Sequence, residues 1–217
     1  MASVVIFGAT GLVGSSLLPL LDSEPKVSEI ITYGRRESVY RSPKMRFVHG
    51  EYRQLQDELK ASQVRHCFIA LGTTIRKAGS QEAFRDVDFH MVLAAAKWAK
   101  AQGVETVAAV SSVGADSDSI AFYPRVKGEV EEAMIELDLP KLLILRPGLL
   151  LGDREEFRFG ELLASPLMKV VNPLLIGKTA RYRAIDAKDV ASAMLRLSLD
   201  DTIREKVSIV EGMRFYH

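Results

Sequence analysis

The stretch AFYPRVKGEVEE at 121–132 places a tyrosine and a lysine four positions apart. Side chains at i and i+4 share one face of a helix. An ammonium beside a phenol favours the phenolate, and such a phenol can pass a proton to or from a carbonyl or an alcohol. Tyr123 and Lys127 are therefore the candidate catalytic pair. A serine hydroxyl close to them would orient the same substrate oxygen. VSSVGA at 110–115 supplies Ser111 and Ser112. Position favours Ser112 as the catalytic serine and leaves Ser111 on the cofactor side. Alone, Y-x-x-x-K arises often by chance, so its weight depends on its surroundings. Pro124 adds a constraint. Proline suits the first turn of a helix and pushes the residue before it out of the α region. Tyr123 is expected at the start of the helix, not inside it.

A second group of residues suits phosphate. GATGLVG at 8–14 sets Gly8, Gly11 and Gly14 between an apolar run and a helical segment, with Thr10, Leu12 and Val13 completing the loop. Glycines there permit a tight turn and let backbone N–H groups approach a pyrophosphate at a helix N-terminus. The spacing is G-x-x-G-x-x-G, and its placement after the first strand gives it meaning. An NAD site usually carries an acidic residue at the end of the second strand. Here that end reads TYGRRES, offering Arg35 and Arg36 first and Glu37 only beyond them. Guanidinium groups bind phosphate in bidentate fashion, so the end suits a 2′-phosphate, and NADP(H) is expected in preference to NAD(H). The alternative is a pair of solvated loop charges. IALGTT at 69–74 keeps the chain thin at the end of a strand, so Ala70, Leu71 and Gly72 could line the adenosine side with Thr73 further along. LRPG at 145–148 puts Arg146, Pro147 and Gly148 where a nicotinamide carboxamide could meet backbone groups, or where a proline simply turns the chain.

These residues need a scaffold, and the pattern supplies one. Apolar, β-branched runs at 3–8, 29–34, 45–50, 64–72, 104–112, 141–148 and 206–212 read as strands. Helical segments at 14–23, 54–62, 80–102, 124–138 and 186–199 separate most of them, with Gly103 as a helix stop. Such alternation predicts an α/β fold with a parallel sheet covered on both faces. The expected arrangement is a doubly wound, Rossmann-type domain spanning 1–217, with a small irregular C-terminal lobe at about 150–185.

Bulk composition narrows the class. Lysine and arginine number 29 and aspartate and glutamate 28, a balance unlike that of a dedicated nucleic-acid binder. The single cysteine, Cys67, excludes an intramolecular disulfide framework and fits a reducing compartment. The opening MASVVIFGATG lacks the basic region of a signal peptide, and no apolar run reaches the ~20 residues of a membrane span. The expectation is a soluble, cytoplasmic protein. His49, His66, His90 and His217 form no ligand pattern, so no metal site is expected. Cys67 and Trp98 read as packing residues. DREEFRFGE at 153–161 reads as a charged loop in which Arg154 and Arg158 could meet an anionic substrate.

At this point the chain resembles an atypical short-chain dehydrogenase/reductase, through GATGLVG, the strand-end serines, YPRVK and RPG. It is more closely similar to the oxidoreductase-like family of the Tat-interacting tumour-suppressor protein, through LGTTIRKAGS, SSVGAD, VKGEVEE and RPGLLLGDRE. That resemblance implies an NADP(H)-binding Rossmann domain with Ser112, Tyr123 and Lys127 as the catalytic trio. It implies cofactor contacts from Gly8, Gly11, Gly14 and Arg35. It also sets Glu51 where such families keep an aspartate near the adenine. The expected activity is NADP(H)-dependent oxidation or reduction of a small carbonyl or alcohol. The competing expectation is an NADP(H)-binding regulator with little turnover, and a nucleotide-sugar epimerase ranks below both. A small-molecule substrate is the expected ligand, and a homo-oligomer or a protein partner remains open.

Overall fold

The computed structural model describes residues 2–60, 63–151 and 182–212. The chain opens with β1 (Ala2–Phe7), α1 (Leu12–Ser23), β2 (Val27–Gly34) and β3 (Met45–His49). A 3-10 turn at Tyr52–Gln54 leads into the short α2 (Leu55–Glu58), then β4 (Val64–Ile69), α3 (Ile75–Ala78) and α4 (Gln81–Arg85). A π-helical turn at Asp86–Met91 joins α4 to α5 (Val92–Ala101). There follow β5 (Thr106–Val110), α6 (Phe122–Glu136), β6 (Leu142–Arg146) and β7 (Leu150–Leu151). After the gap come β8 (Ile185–Asp186), α7 (Ala187–Ser198) and β9 (Val207–Glu211).

Seven strands form one sheet in the order β3-β2-β1-β4-β5-β6-β9, each pair parallel. The first six places follow the doubly wound dinucleotide-binding order, in which a ligand crevice opens where the order reverses, between β1 and β4. The expected Rossmann-type sheet is therefore present. Its strands hold because both faces are covered. Val4 and Ile6 of β1 enter a core with Leu17 and Leu18 of α1 and Val190 and Met194 of α7. Val5 and Phe7, the alternate residues, enter a second core with Trp98, Val130 and Met134 from α5 and α6. Each such side chain contributes on the order of 1.5–3 kcal/mol when buried, so a strand ending in four apolar residues is held at the centre of the sheet.

Helix boundaries depart from expectation in two places. The helix expected over 80–102 is present as α4, the π-helical turn and α5. Gly103 ends it with φ +68. The helix expected over 54–62 shortens to α2, with 61–62 outside the described residues. Trp98 is fully buried, packs edge-on against Phe7 at 5.6 Å and donates its indole N–H to the Leu59 carbonyl at 2.8 Å. Of the lobe expected at 150–185, residues 152–181 lie outside the described residues, and with them DREEFRFGE, Arg154 and Arg158. Its described parts are the parallel pair β7–β8 and the segment Tyr182–Ala184.

Candidate functional site

The glycine loop occupies the crevice between β1 and β4. Gly8 has φ +88, and a Cβ there would lie 2.5 Å from the Ala70 carbonyl oxygen and 2.9 Å from the Leu71 nitrogen. A side chain at Gly14 would collide with the Gly8 carbonyl. Two segments singled out in the sequence, 8–14 and 70–72, are thus pressed together, and glycine is what lets them meet. Gly11 caps α1 without any side-chain hydrogen bond, and its own N–H is taken by Gly8 at 2.9 Å. The first bond of the α1 ladder runs from Ser15 N–H to Gly11 at 2.9 Å. The N–H groups of Leu12, Val13 and Gly14 precede that ladder, as the first donors of any helix do. An uncapped helix start behind a cradle that no Cβ can fill fits a pyrophosphate.

Beyond β2, Arg35 and Arg36 are exposed, and among the described residues neither forms an ion pair. Glu37, the carboxylate that could otherwise compete for a ribose, is tied to Arg41 at 3.2 Å. Arg35 acts on Tyr52, whose phenol burial pushes upward. Glu51 lies just past β3 with its side chain exposed. Its carbonyl accepts the Tyr33 hydroxyl at 2.9 Å and its N–H donates to Glu58 at 3.1 Å. Those bonds fix the loop that carries Glu51 against the end of β2.

Two of the catalytic candidates, Tyr123 and Lys127, lie on α6. Phe122 is its first residue and Tyr123 its second, so Pro124 sits third. Tyr123 therefore stands at the start of the helix, in its first turn, as Pro124 led one to expect. The N–H that proline lacks at this position would have had no helical acceptor, and the helix begins one residue before the tyrosine. Tyr123 packs against the Phe84 ring at 5.5 Å. One turn on, Lys127 is buried, and its ammonium lies 2.7 Å from Asp88 Oδ1. That oxygen makes no aligned hydrogen bond, so charge carries the contact. Asp88 Oδ2 accepts the Thr73 N–H at 2.8 Å. Ser112 is buried just past β5, its hydroxyl making a long 3.3 Å contact to the Val113 carbonyl. The Val113 N–H donates to Pro147 at 2.9 Å, which ties the serine turn to the RPG turn.

Two polar side chains at this edge meet one buried carboxylate. The Ser111 hydroxyl donates to Glu131, a residue of α6 buried to 2% exposure. The Arg146 side chain joins it there, its Nε 3.0 Å from Glu131 Oε2 and its Nη1 3.1 Å from Glu211 Oε1, and its backbone is not involved in these contacts. Gly148 is glycine because a side chain there would run into the Arg183 carbonyl.

Sequence reasoning missed Asp88, Glu131 and Gly128. A side chain at Gly128 would collide with the backbone of Asp116 and Ser117, the loop that follows Ser112. A glycine inside a helical pattern was the available signal for Gly128. No local signal marks the other two. Among the described residues no group of histidine, cysteine or acidic side chains could hold a metal, and no helix is long and apolar enough to cross a membrane. Cys67 is fully buried, and burial pushes its thiol up.

The model of the NAD dependent epimerase/dehydratase family matches residues 4–209. "Protein FMP52, mitochondrial" of Candida albicans is 33% identical over 220 aligned positions, covering 97% of this chain and 95% of that protein. "Protein HTATIP2" of Rattus norvegicus is 40% identical over 166 positions, covering 75% of this chain and 68% of that one. Among solved structures, MoeE5 in complex with UDP-glucose and NAD superposes with a TM-score of 0.70 at 15% identity, over 97% of this chain and 76% of that one. The cytoplasmic expectation is corrected by the FMP52 relatives, which are named mitochondrial. A lone buried cysteine does not distinguish those two compartments.

Proposed function

Because the chain belongs to the NAD dependent epimerase/dehydratase family, we propose that it is an NADP(H)-dependent oxidoreductase acting on a small carbonyl or alcohol. The observation that carries the cofactor preference is the end of β2. Two exposed arginines stand there without carboxylate partners among the described residues, while Glu37 is held by Arg41.

Each residue has a role in this reading. The N–H groups of Leu12, Val13 and Gly14 take the pyrophosphate, with Thr10 beside them and Gly8 and Gly14 keeping the cradle open. Arg35, with Arg36 next to it, takes the 2′-phosphate. Glu51 and the thin turn Ala70–Gly72 flank the adenosine, and Pro147 and Gly148 offer backbone groups at the other end. When bound, the nicotinamide supplies or accepts a hydride. Ser112 orients the substrate oxygen by hydrogen bonding, and Tyr123 gives or takes the proton at that oxygen. Lys127 supplies the positive charge that favours the phenolate.

Calorimetric titration of NADPH and NADH onto wild type and Arg35→Ala tests the cofactor assignment. A charged hydrogen-bond partner is worth about 1.5–3 kcal/mol, so NADPH affinity should fall roughly tenfold or more while NADH affinity changes little. Equal losses for the two cofactors would overturn the assignment.

A further inference from the structure

We propose that Asp22, at the end of α1 far from the glycine loop, is a positioning residue for cofactor selection: it pins the 38–44 turn and so holds Arg35 and Arg36 ready for a ribose phosphate. The inference rests on the functional reading above. The Asp22 carboxylate gathers a turn distant from it in the chain. Its Oδ2 accepts the Tyr40 hydroxyl at 2.8 Å and its Oδ1 accepts the Ser42 hydroxyl. Those bonds, from Ser42 and then Tyr40, hold the carboxyl below the ordinary carboxylate range. The Lys44 ammonium donates to the Asp22 carbonyl at 2.6 Å and to the Glu24 carbonyl at 3.3 Å, a cationic cap on the C-terminus of α1. The Tyr40 ring packs against the core that holds Leu17, Leu18 and Leu21 of the same helix.

The turn is also closed on itself. Ser38 is buried, and its hydroxyl accepts the Tyr40 N–H at 3.1 Å. The Arg41 guanidinium donates to the Ser38 and Tyr40 carbonyls and pairs with Glu37. On the other side, Gly34 ends β2 paired with His49 of β3, and its carbonyl accepts the Gly50 N–H at 3.2 Å. Arg35, Arg36 and Glu37 are therefore an exposed span with a fixed point at each end. Ordering long side chains and loops on binding weakens affinity, and a span fixed beforehand has less left to order. The exposed Glu37–Arg41 pair is worth little alone. Asp22, which joins the turn to a core helix through two hydroxyls, is the stronger anchor. It lies about 15 Å along α1 from Leu12, so it acts through the turn and not on the cofactor.

The test is calorimetric titration of NADPH and NADH onto wild type, onto Asp22→Ala, and onto a chain carrying Arg35→Ala and Arg36→Ala with and without Asp22→Ala. Asp22→Ala should lower NADPH affinity roughly three- to tenfold, what immobilising one long side chain costs, and leave NADH affinity nearly unchanged. Without the two arginines the same change should lower NADPH affinity no further, because the effect runs through them. Equal losses for the two cofactors, an unchanged NADPH affinity, or a full loss in the absence of the arginines would each overturn the role. Should Asp22→Ala fail to fold, Tyr40→Phe keeps the ring in the core and removes one of the two hydroxyl bonds. NADPH affinity relative to NADH should then fall about twofold or more, and an unchanged ratio would overturn the role as well. A wild type that binds neither cofactor, or binds NADH as tightly as NADPH, overturns the functional reading. A wild type that prefers NADPH, with that preference kept in full by Asp22→Ala, overturns the role of Asp22 alone.

Discussion

Tyr123 lies in the first turn of α6, and its ring leans on Phe84. Tyr123→Phe keeps that packing and removes only the hydroxyl. Its proton transfer is expected to contribute about 10²–10⁴-fold, so turnover of any carbonyl substrate should fall by that order with NADPH binding nearly unchanged. Retained turnover would remove Tyr123 from the chemistry. Tight NADPH binding by wild type with no oxidation across a broad carbonyl panel would favour the regulator reading. At this scale the sequence exposed residues whose signal is local: the glycines at a strand–helix junction, the paired arginines, the i, i+4 tyrosine and lysine. It hid Asp88 and Glu131, whose partners Lys127 and Arg146 sit on other elements. An acidic residue facing its mate across a fold has no neighbour in the chain to announce it. The contacts of Ser111 and Arg146 with Glu131 were hidden for the same reason.

Helix α6 is the element on which the site turns, and Gly128 sets how closely the 116–117 loop lies against it. The Asp116 N–H donates to the Pro124 carbonyl at 3.1 Å, so loop and helix are joined beside Tyr123. Gly128→Ala would gain helix propensity, worth up to about 1 kcal/mol, yet force the loop away. Overpacking of this kind costs roughly 1–3 kcal/mol or more. The expected result is a lower melting temperature together with weakened turnover, measured by thermal denaturation and steady-state assay; a more stable, fully active variant would contradict it. Strands were legible because a parallel sheet buried on both faces demands unbroken apolar runs, as VVIF in β1 shows. The π-helical turn was not, since no residue type specifies one. Residues 54–62 looked helical by composition, but the 3-10 turn at Tyr52–Gln54 occupies the start of that run.

For the whole molecule, the strand order is a property of no single segment, and it decides which loops share the crevice. Stability is equally global, and His66 gives it a pH dependence. His66 is buried on β4 with Nδ1 unpartnered, and burial pushes its imidazole down to about 4. The unfolded chain takes that proton near the ordinary value of about 6.5. Between these values the unfolded state binds more protons, so this contribution is complete above pH ~6.5 and is lost as pH falls toward ~4. The loss amounts to roughly 2–3 kcal/mol across that window. His66→Gln should flatten melting temperature against pH there, and an unchanged slope would refute the assignment. Lastly, Trp98 is the chain's single tryptophan. Its intrinsic emission therefore arises from one environment, a dry pocket against Phe7, whose next residue is Gly8. Tryptophan emission from this protein reports on the α5 face beneath the glycine loop, while loosening confined to the α1–α7 face would leave that emission unchanged.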